Sequence, residues 1–177
     1  VVAETRPARA QNPRAKRRLD AEQQIRRWAM HNGVRASVLR VPGIYAADRL
    51  PLQRLQKGTP AIVAAEDGYT NHIHADDLAV IARRALAHGR PGRIYNAADE
   101  SVLKMGEYFD LIADRLGLPR APRLPRAEIV QRLTPAMLSF MGESRRLTNA
   151  RIKRELGVRL EYPDVATALD VVLPEVA

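Results

Sequence analysis

A helix, a tight turn and a short apolar strand follow one another early in the chain, and Pro42-Gly43 closes the unit. The spacing predicts a helix over 13–32. Asn12 is a good N-cap, Pro13 suits the first helical position, and Gly33 suits a left-handed stop. Ala21, Ile25, Trp28 and Ala29 recur at helical spacing and define its expected buried face, which continues through Arg18 and Arg14 toward the N-terminus. Val34 to Val41 then reads as a strand, because β-branched residues dominate until the Pro-Gly breaker. Helix, short turn and apolar strand are a piece of parallel sheet. Ligands of such sheets lie beyond the carboxyl ends of the strands, so Arg40 to Tyr45 is the first segment expected to carry function.

The rest of the chain continues the alternation. Ala61 to Ala65 and Tyr69 to His74 flank Asp67-Gly68 and read as a β-hairpin. Asp76 and Asp77 open a helix with Leu78, Ile81, Ala82, Ala85 and Leu86 on one face, closed by Gly89 and Pro91. Arg93 to Ala97 is a further strand. Tyr108, Phe109, Ile112 and Leu116 line a helix ending at Gly117, and Leu118 to Pro125 is Pro-rich and extended. Helices follow at Ala127 to Leu133, Pro135 to Met141, Asn149 to Leu156 behind a Thr148 cap, and Asp164 to Leu173.

Composition sets outer limits. A chain of 177 residues can bury one real core. With no Cys, disulfides, thiolate metal sites and a Cys nucleophile are excluded. No apolar run is long enough to span a membrane and no secretory segment opens the sequence, so a cytoplasmic protein is expected. The chain starts at Val1 rather than Met, as a piece of a longer protein would. The net charge of +9 invites a polyanion or nucleic-acid reading. Only Lys16, Lys57, Lys104 and Lys153 are lysines, however, and the arginines are spread along the whole chain. Aromatic residues for base stacking amount to only 5%. Nucleic acid is therefore not the expected partner.

Several residue groups could carry chemistry. His72-Ile73-His74 places two imidazoles at alternate positions of a strand, and Asp76 could add an oxygen ligand. The weightier reading is that an aspartate caps the helix while the histidines satisfy strand-end hydrogen bonds, so no metal is expected. Arg145 and Arg146, behind Ser144, form an anion-friendly corner. No phosphate-binding glycine loop and no Gly-x-Ser-x-Gly elbow occurs.

Taken in order, several segments resemble the C-terminal part of an extended short-chain dehydrogenase/reductase of the NAD-dependent epimerase/dehydratase type. These are Val2-Ala3-Glu4-Thr5-Arg6-Pro7, Ala21-Glu22, Leu39-Arg40-Val41-Pro42-Gly43-Ile44-Tyr45, His72 to Ala79, and Tyr95-Asn96-Ala97. The resemblance implies an α/β fold: a partial Rossmann-like parallel sheet with a mainly helical substrate lobe. It implies part of the NAD(P)-binding domain at 1–47, a loop and hairpin of the lobe at 48–73, a helix and strand returning to the sheet at 74–100, and the helical lobe at 101–177.

The departures bear on mechanism. The family's glycine-rich fingerprint and catalytic Ser/Thr are not in this sequence. Its Tyr-x-x-x-Lys falls on Arg14 and Arg18, and arginine cannot exchange protons near neutrality. Ala46-Ala47 stands where the family has Gly-Pro. The resemblance implies NAD or NADP as cofactor, with Arg14, Arg18, Arg40, Pro42 and Gly43 on the cofactor side. Asn71, Arg145 and Arg146 fall on the side of a small-molecule, anionic substrate, and a homodimer is compatible with it. Tyr45 and His72 are the candidate acid/base groups, His being the side chain whose ordinary pKa lies near neutrality. The alternatives are a catalytically inactive nucleotide-binding or regulatory protein of the same fold, and a polyanion binder.

Overall fold

In the computed structural model, residues 1–10, 12–132, 137–138 and 144–172 are described. The first helix, α1 (Pro13–His31), begins where the sequence places it: Asn12 Oδ1 accepts the Ala15 N–H at 2.8 Å, and Asn32 closes the other end. β1 (Val38–Arg40) runs parallel to β6 (Ile94–Asn96), Leu39 opposite Tyr95. β2 (Gly43–Tyr45) runs parallel to β5 (His72–His74), Ile44 opposite Ile73. Between them lie α2 (Leu52–Gln56) and the short strands β3 (Ala61–Ile62) and β4 (Tyr69–Thr70). The chain continues through α3 (Ala75–His88), β7 (Leu103–Lys104), α4 (Met105–Arg115), β8 (Arg123–Leu124), α5 (Arg126–Ile129), α6 (Ala150–Leu156) and α7 (Val165–Val172). The result is a mixed α/β fold whose longest described strand pairings are parallel. Among the described residues, no helix is long and apolar enough to cross a membrane.

Two sequence expectations are corrected. The segments on either side of Asp67-Gly68 do not form a hairpin: β3 pairs in parallel with β8, β4 pairs antiparallel with β7, and β5 pairs with β2. Asp67 explains the difference. Its Oδ2 accepts the Gly106 N–H at 2.7 Å at the start of α4, so the Asp-Gly turn is tied to a helix instead of folding its flanks onto each other. The buried face of α1 is also not the expected one. Ile25 and Trp28 are 56% and 58% exposed, Arg18 is exposed and Arg14 half-buried, whereas Ala29 is buried and Ala15, Leu19, Glu22 and Arg26 are half-buried. Arg40 supplies the reason. Its Nε and Nη2 each donate to Glu22 at 2.9 Å, and this bidentate pair turns the Glu22 side of the helix toward β1.

Later elements follow the sequence more closely. α4 buries Tyr108, Phe109 and Ile112, and Gly117 follows it at φ +63°. The expected helix over 127–133 is shorter, and most of Pro135 to Met141 lies outside the described residues. α6 is stopped by Gly157 at φ +61°, which a β-carbon would strain. Arg151 Nη1 donates to the Ile94 carbonyl at 2.8 Å and Glu155 accepts two hydrogen bonds from Arg93, so α6 is tied to β6 by charge as well as by Ile152 and Leu156.

The exit of α3 is tightly fitted. A β-carbon at Gly89 would fall on the Ala85 carbonyl oxygen and 2.8 Å from Ser37 Oγ. Gly89→Ala is expected to cost about 1–3 kcal/mol through overpacking, read as a lower urea midpoint with unchanged slope.

Candidate functional site at the strand ends

Side chains of two paired strands and of the loop after β6 meet in one buried polar cluster. Tyr45 ends β2, His72 begins β5, and Asp99 follows β6, its N–H donating to the His72 carbonyl at 2.8 Å. Tyr108 of α4 stacks on the His72 ring at 4.0 Å between centroids, and Tyr45 meets His72 edge-on at 6.2 Å and His74 at 5.3 Å. Tyr45 is 1% exposed, His72 5% and Asp99 5%. The cluster is thus built by the parallel register of β2 and β5, by α4 packing over it, and by the loop leaving β6.

Its polar atoms are incompletely satisfied. Among the described residues, Tyr45 Oη, His72 Nδ1, His74 Nε2 and Asp99 Oδ2 are buried without a hydrogen-bond partner. The Tyr45 hydroxyl and the Asp99 carboxyl are near enough to perturb one another, yet they do not reach the geometry of a formed hydrogen bond. Asp99 Oδ1 does accept the Ser101 N–H at 2.9 Å.

Burial sets the protonation of the group. It pulls the His72 imidazole down to about 4, so the ring is neutral at physiological pH. It pushes the Tyr45 hydroxyl far above the ordinary phenol range, with the Asp99 charge adding to the effect, and it pushes Tyr108 up to about 12. It also raises Asp99 to about 7, against the opposing hydrogen bonds of Ser101. Of the three residues at the strand ends, the one whose charge changes near neutrality is therefore Asp99, which sequence reasoning missed. Its position just past the carboxyl end of a parallel strand was the available signal.

The other sequence-derived site residues divide into two groups. Gly43, Asn71, His72, Arg145 and Arg146 are brought together: the Gly43 N–H donates to the Asn71 carbonyl at 3.2 Å, Asn71 Nδ2 donates to the Arg145 carbonyl at 2.9 Å, and Asn71 Oδ1 accepts the Leu147 N–H at 2.8 Å. Asn71 thereby clamps the 145–147 segment over β4, and the Arg146 guanidinium lies 5.5 Å from the centre of the Tyr69 ring. Arg40, by contrast, is held by Glu22 within the fold, and Arg14 and Arg18 sit on the first turns of α1. His74, not an aspartate, is the N-cap of α3, its Nδ1 accepting the Asp76 N–H at 3.3 Å. No group of three His, Cys, Asp or Glu suited to a metal ion occurs among the described residues.

One depression touches this arrangement and another lies on α1. A cavity of about 250 Å³ is lined by Val1, by Asp99 to Val102 and by Arg146 to Asn149. An open hollow of about 650 Å³ is lined by Arg27 to Asn32 without Ala29, from α1 and its cap alone, and none of the converging polar groups lines it.

No family model and no curated protein matches the chain. Solved structures do. A functionally unknown conserved protein from Silicibacter pomeroyi is 33% identical over 98% of this chain and 60% of its own length, with a TM-score of 0.84. The dTDP-glucose 4,6-dehydratase DesIV from Streptomyces venezuelae, solved with NAD, is 20% identical over 98% of this chain and 53% of its own, at TM-score 0.72. A human epimerase family protein solved with NADPH is 19% identical over 80% of this chain and 49% of its own, at TM-score 0.65. The chain spans roughly half to three fifths of the length of these proteins. What it shares with them is the Rossmann-like α/β fold of NAD(P)-dependent epimerases and dehydratases.

Proposed function

We propose that the chain is the substrate-lobe portion of an NAD(P)-dependent oxidoreductase, epimerase or dehydratase acting on a small anionic substrate. The observation that carries this reading is the meeting of Tyr45 of β2, His72 of β5 and Asp99 after β6 in one buried polar cluster, beside a clamped arginine segment. In this reading 1–47 belongs to the cofactor-binding sheet, 48–73 and 101–177 to the lobe, and 74–100 returns the chain to the sheet.

The residues at the β1–β2 connection fit the nicotinamide end of a dinucleotide. A β-carbon at Gly43 would approach His72 Cδ2 to 3.2 Å and the Asn71 carbonyl to 3.4 Å, so glycine lets β2 lie close against the start of β5. Pro42 and Gly43 would hold the ring, and Arg14 and Arg18 would meet the anionic part. Arg40 fits less well, its guanidinium being paired with Glu22. When bound, the cofactor supplies hydride transfer. Tyr45 stays protonated, His72 stays neutral, and a proton near neutrality is held or released at the Asp99 carboxyl.

The test is a thermal melt of the 177-residue chain with and without excess NADH or NADPH. A ligand at 100 times its Kd raises stability by about 2.7 kcal/mol, which is a rise of several degrees for a chain of this size. A cooperative melt that neither nucleotide moves overturns the cofactor reading. Binding without turnover favours the nucleotide-binding protein that has lost catalysis, as the Arg14 and Arg18 positions suggest.

A further inference from the structure

Asp99 opens a short loop that ties separate parts of the fold together. Its N–H donates to the His72 carbonyl of β5, and the Glu100 N–H donates to the Pro163 carbonyl, each at 2.8 Å. Ser101 Oγ accepts the Val165 N–H at 2.9 Å where α7 begins. The Asp99 carboxyl lies buried beneath these links. Oδ1 takes the Ser101 N–H, whereas Oδ2 and the neighbouring Tyr45 Oη are both buried and both without a formed hydrogen bond. The charges that act on this pair are acidic: Asp77 of α3 on Tyr45, and Asp164, just before α7, on Asp99. His72 of β5 and Tyr108 of α4 face the pair in neutral form, and His74 beside Tyr45 is engaged in capping α3. Glu100 pairs with Lys153 on the surface, and no cation pairs with Asp99 among the described residues.

We propose that the Tyr45–Asp99 contact is a latch on loop 99–101, closed while the carboxyl keeps its proton and released when the carboxyl loses it. A protonated Asp99 and the Tyr45 hydroxyl can satisfy each other with one hydrogen bond. An ionised Asp99 is a buried charge among acidic neighbours with the Tyr45 hydroxyl as its one new donor, and outward movement of the loop hydrates it. The same loop forms one wall of the 250 Å³ cavity, so release widens that cavity. Burial, which raises the closed-state carboxyl to about 7, puts release near neutrality. Once the loop is out, the carboxyl returns toward its ordinary 3.8, so the proton favours closure and that preference fades as pH rises from about 4 to about 7. The latch needs neither cofactor nor substrate, so it stands or falls apart from the function proposed above.

The experiment is amide hydrogen exchange of the 177-residue chain between about pH 5 and about pH 8, each rate divided by that of an unstructured peptide at the same pH. The Glu100 and Val165 amides are expected to lose protection about tenfold per pH unit and to level off near pH 7, with or without a little urea. Ile81, fully buried in the middle of α3, exchanges through unfolding of the whole chain, so its protection falls with urea and provides the control. Asp99→Asn keeps an oxygen for the Ser101 N–H and should hold both loop amides at one level throughout. Tyr45→Phe removes the hydroxyl that favours the ionised carboxyl, so the fall should continue past about pH 7. Loop protection that ignores pH, that changes equally in Asp99→Asn, or that answers urea as Ile81 does overturns the proposal. A Tyr45→Phe profile that levels off where the unaltered chain does overturns it as well.

Discussion

Asp99→Asn is expected to melt well above the unaltered chain at about pH 8, with a gain on the order of 3–4 kcal/mol. Burial raises the folded-state pKa of Asp99 from 3.8 to about 7. A raised carboxyl binds its proton more tightly in the folded state, so its contribution is favourable at low pH and is lost as pH rises from about 4 to about 7. His72 runs in the opposite sense. Its folded pKa is lowered from 6.5 to about 4, so its contribution is complete above the ordinary histidine value and disappears as pH falls through that window. Across about pH 4–6.5 the two slopes offset each other in the unaltered chain, which should show a nearly flat melting temperature there and a decline toward pH 7. The asparagine variant removes one slope and exposes the other, so its stability should climb by about 3 kcal/mol from pH 4 to pH 6.5. Melts at several pH values check this. Parallel profiles for the two proteins would show that Asp99 is an ordinary exposed carboxyl.

Asp77→Ala is expected to lower stability by about 3–5 kcal/mol, the loss of two hydrogen bonds to a charged acceptor. Asp77 is 2% exposed in the first turn of α3, and its two oxygens accept the Glu161 and Tyr162 N–H groups, each at 2.9 Å. Removing the carboxylate strands both donors and detaches the segment leading into α7. Asp77→Asn should cost roughly half as much, because an amide offers a single oxygen in place of two. Asp76→Ala is the control: its side chain is 73% exposed, and the change should stay within about 0.5 kcal/mol. Equal losses at 76 and 77 would show that negative charge at the helix N-terminus, not the link to 161–162, is what the aspartate pair provides.

Local chemistry was legible where one residue acts on its own neighbours. Asn12 and Pro13 set the start of α1, Gly117 and Gly157 set the stops of α4 and α6, and the apolar spacing of α3 marked Ile81 and Ala85 as buried but also Leu86, which is 90% exposed. Gly43, Asn71, His72, Arg145 and Arg146 lie together although the two ends of that group are about a hundred residues apart in the chain, so no local spacing could have shown it. The hairpin failed because a turn signal at Asp67-Gly68 says nothing of the Gly106 N–H that claims the aspartate.

The sequence by itself determined the α/β alternation, the start of α1 and the stops of α4 and α6, because caps, breakers and periodicity act within a few residues. Only the tertiary structure decided which face of α1 is buried, which strands pair, and which group titrates. Ile25 and Trp28 outweigh Glu22 in any reading of apolar periodicity, but the Arg40 charge must be answered, and Glu22 answers it. Tyr45 and His72 carry the chemically conspicuous side chains, yet burial fixes their protonation and moves the neutral-range proton to Asp99. Desolvation and ion pairing depend on what surrounds a group in space, and that is a property of the folded chain.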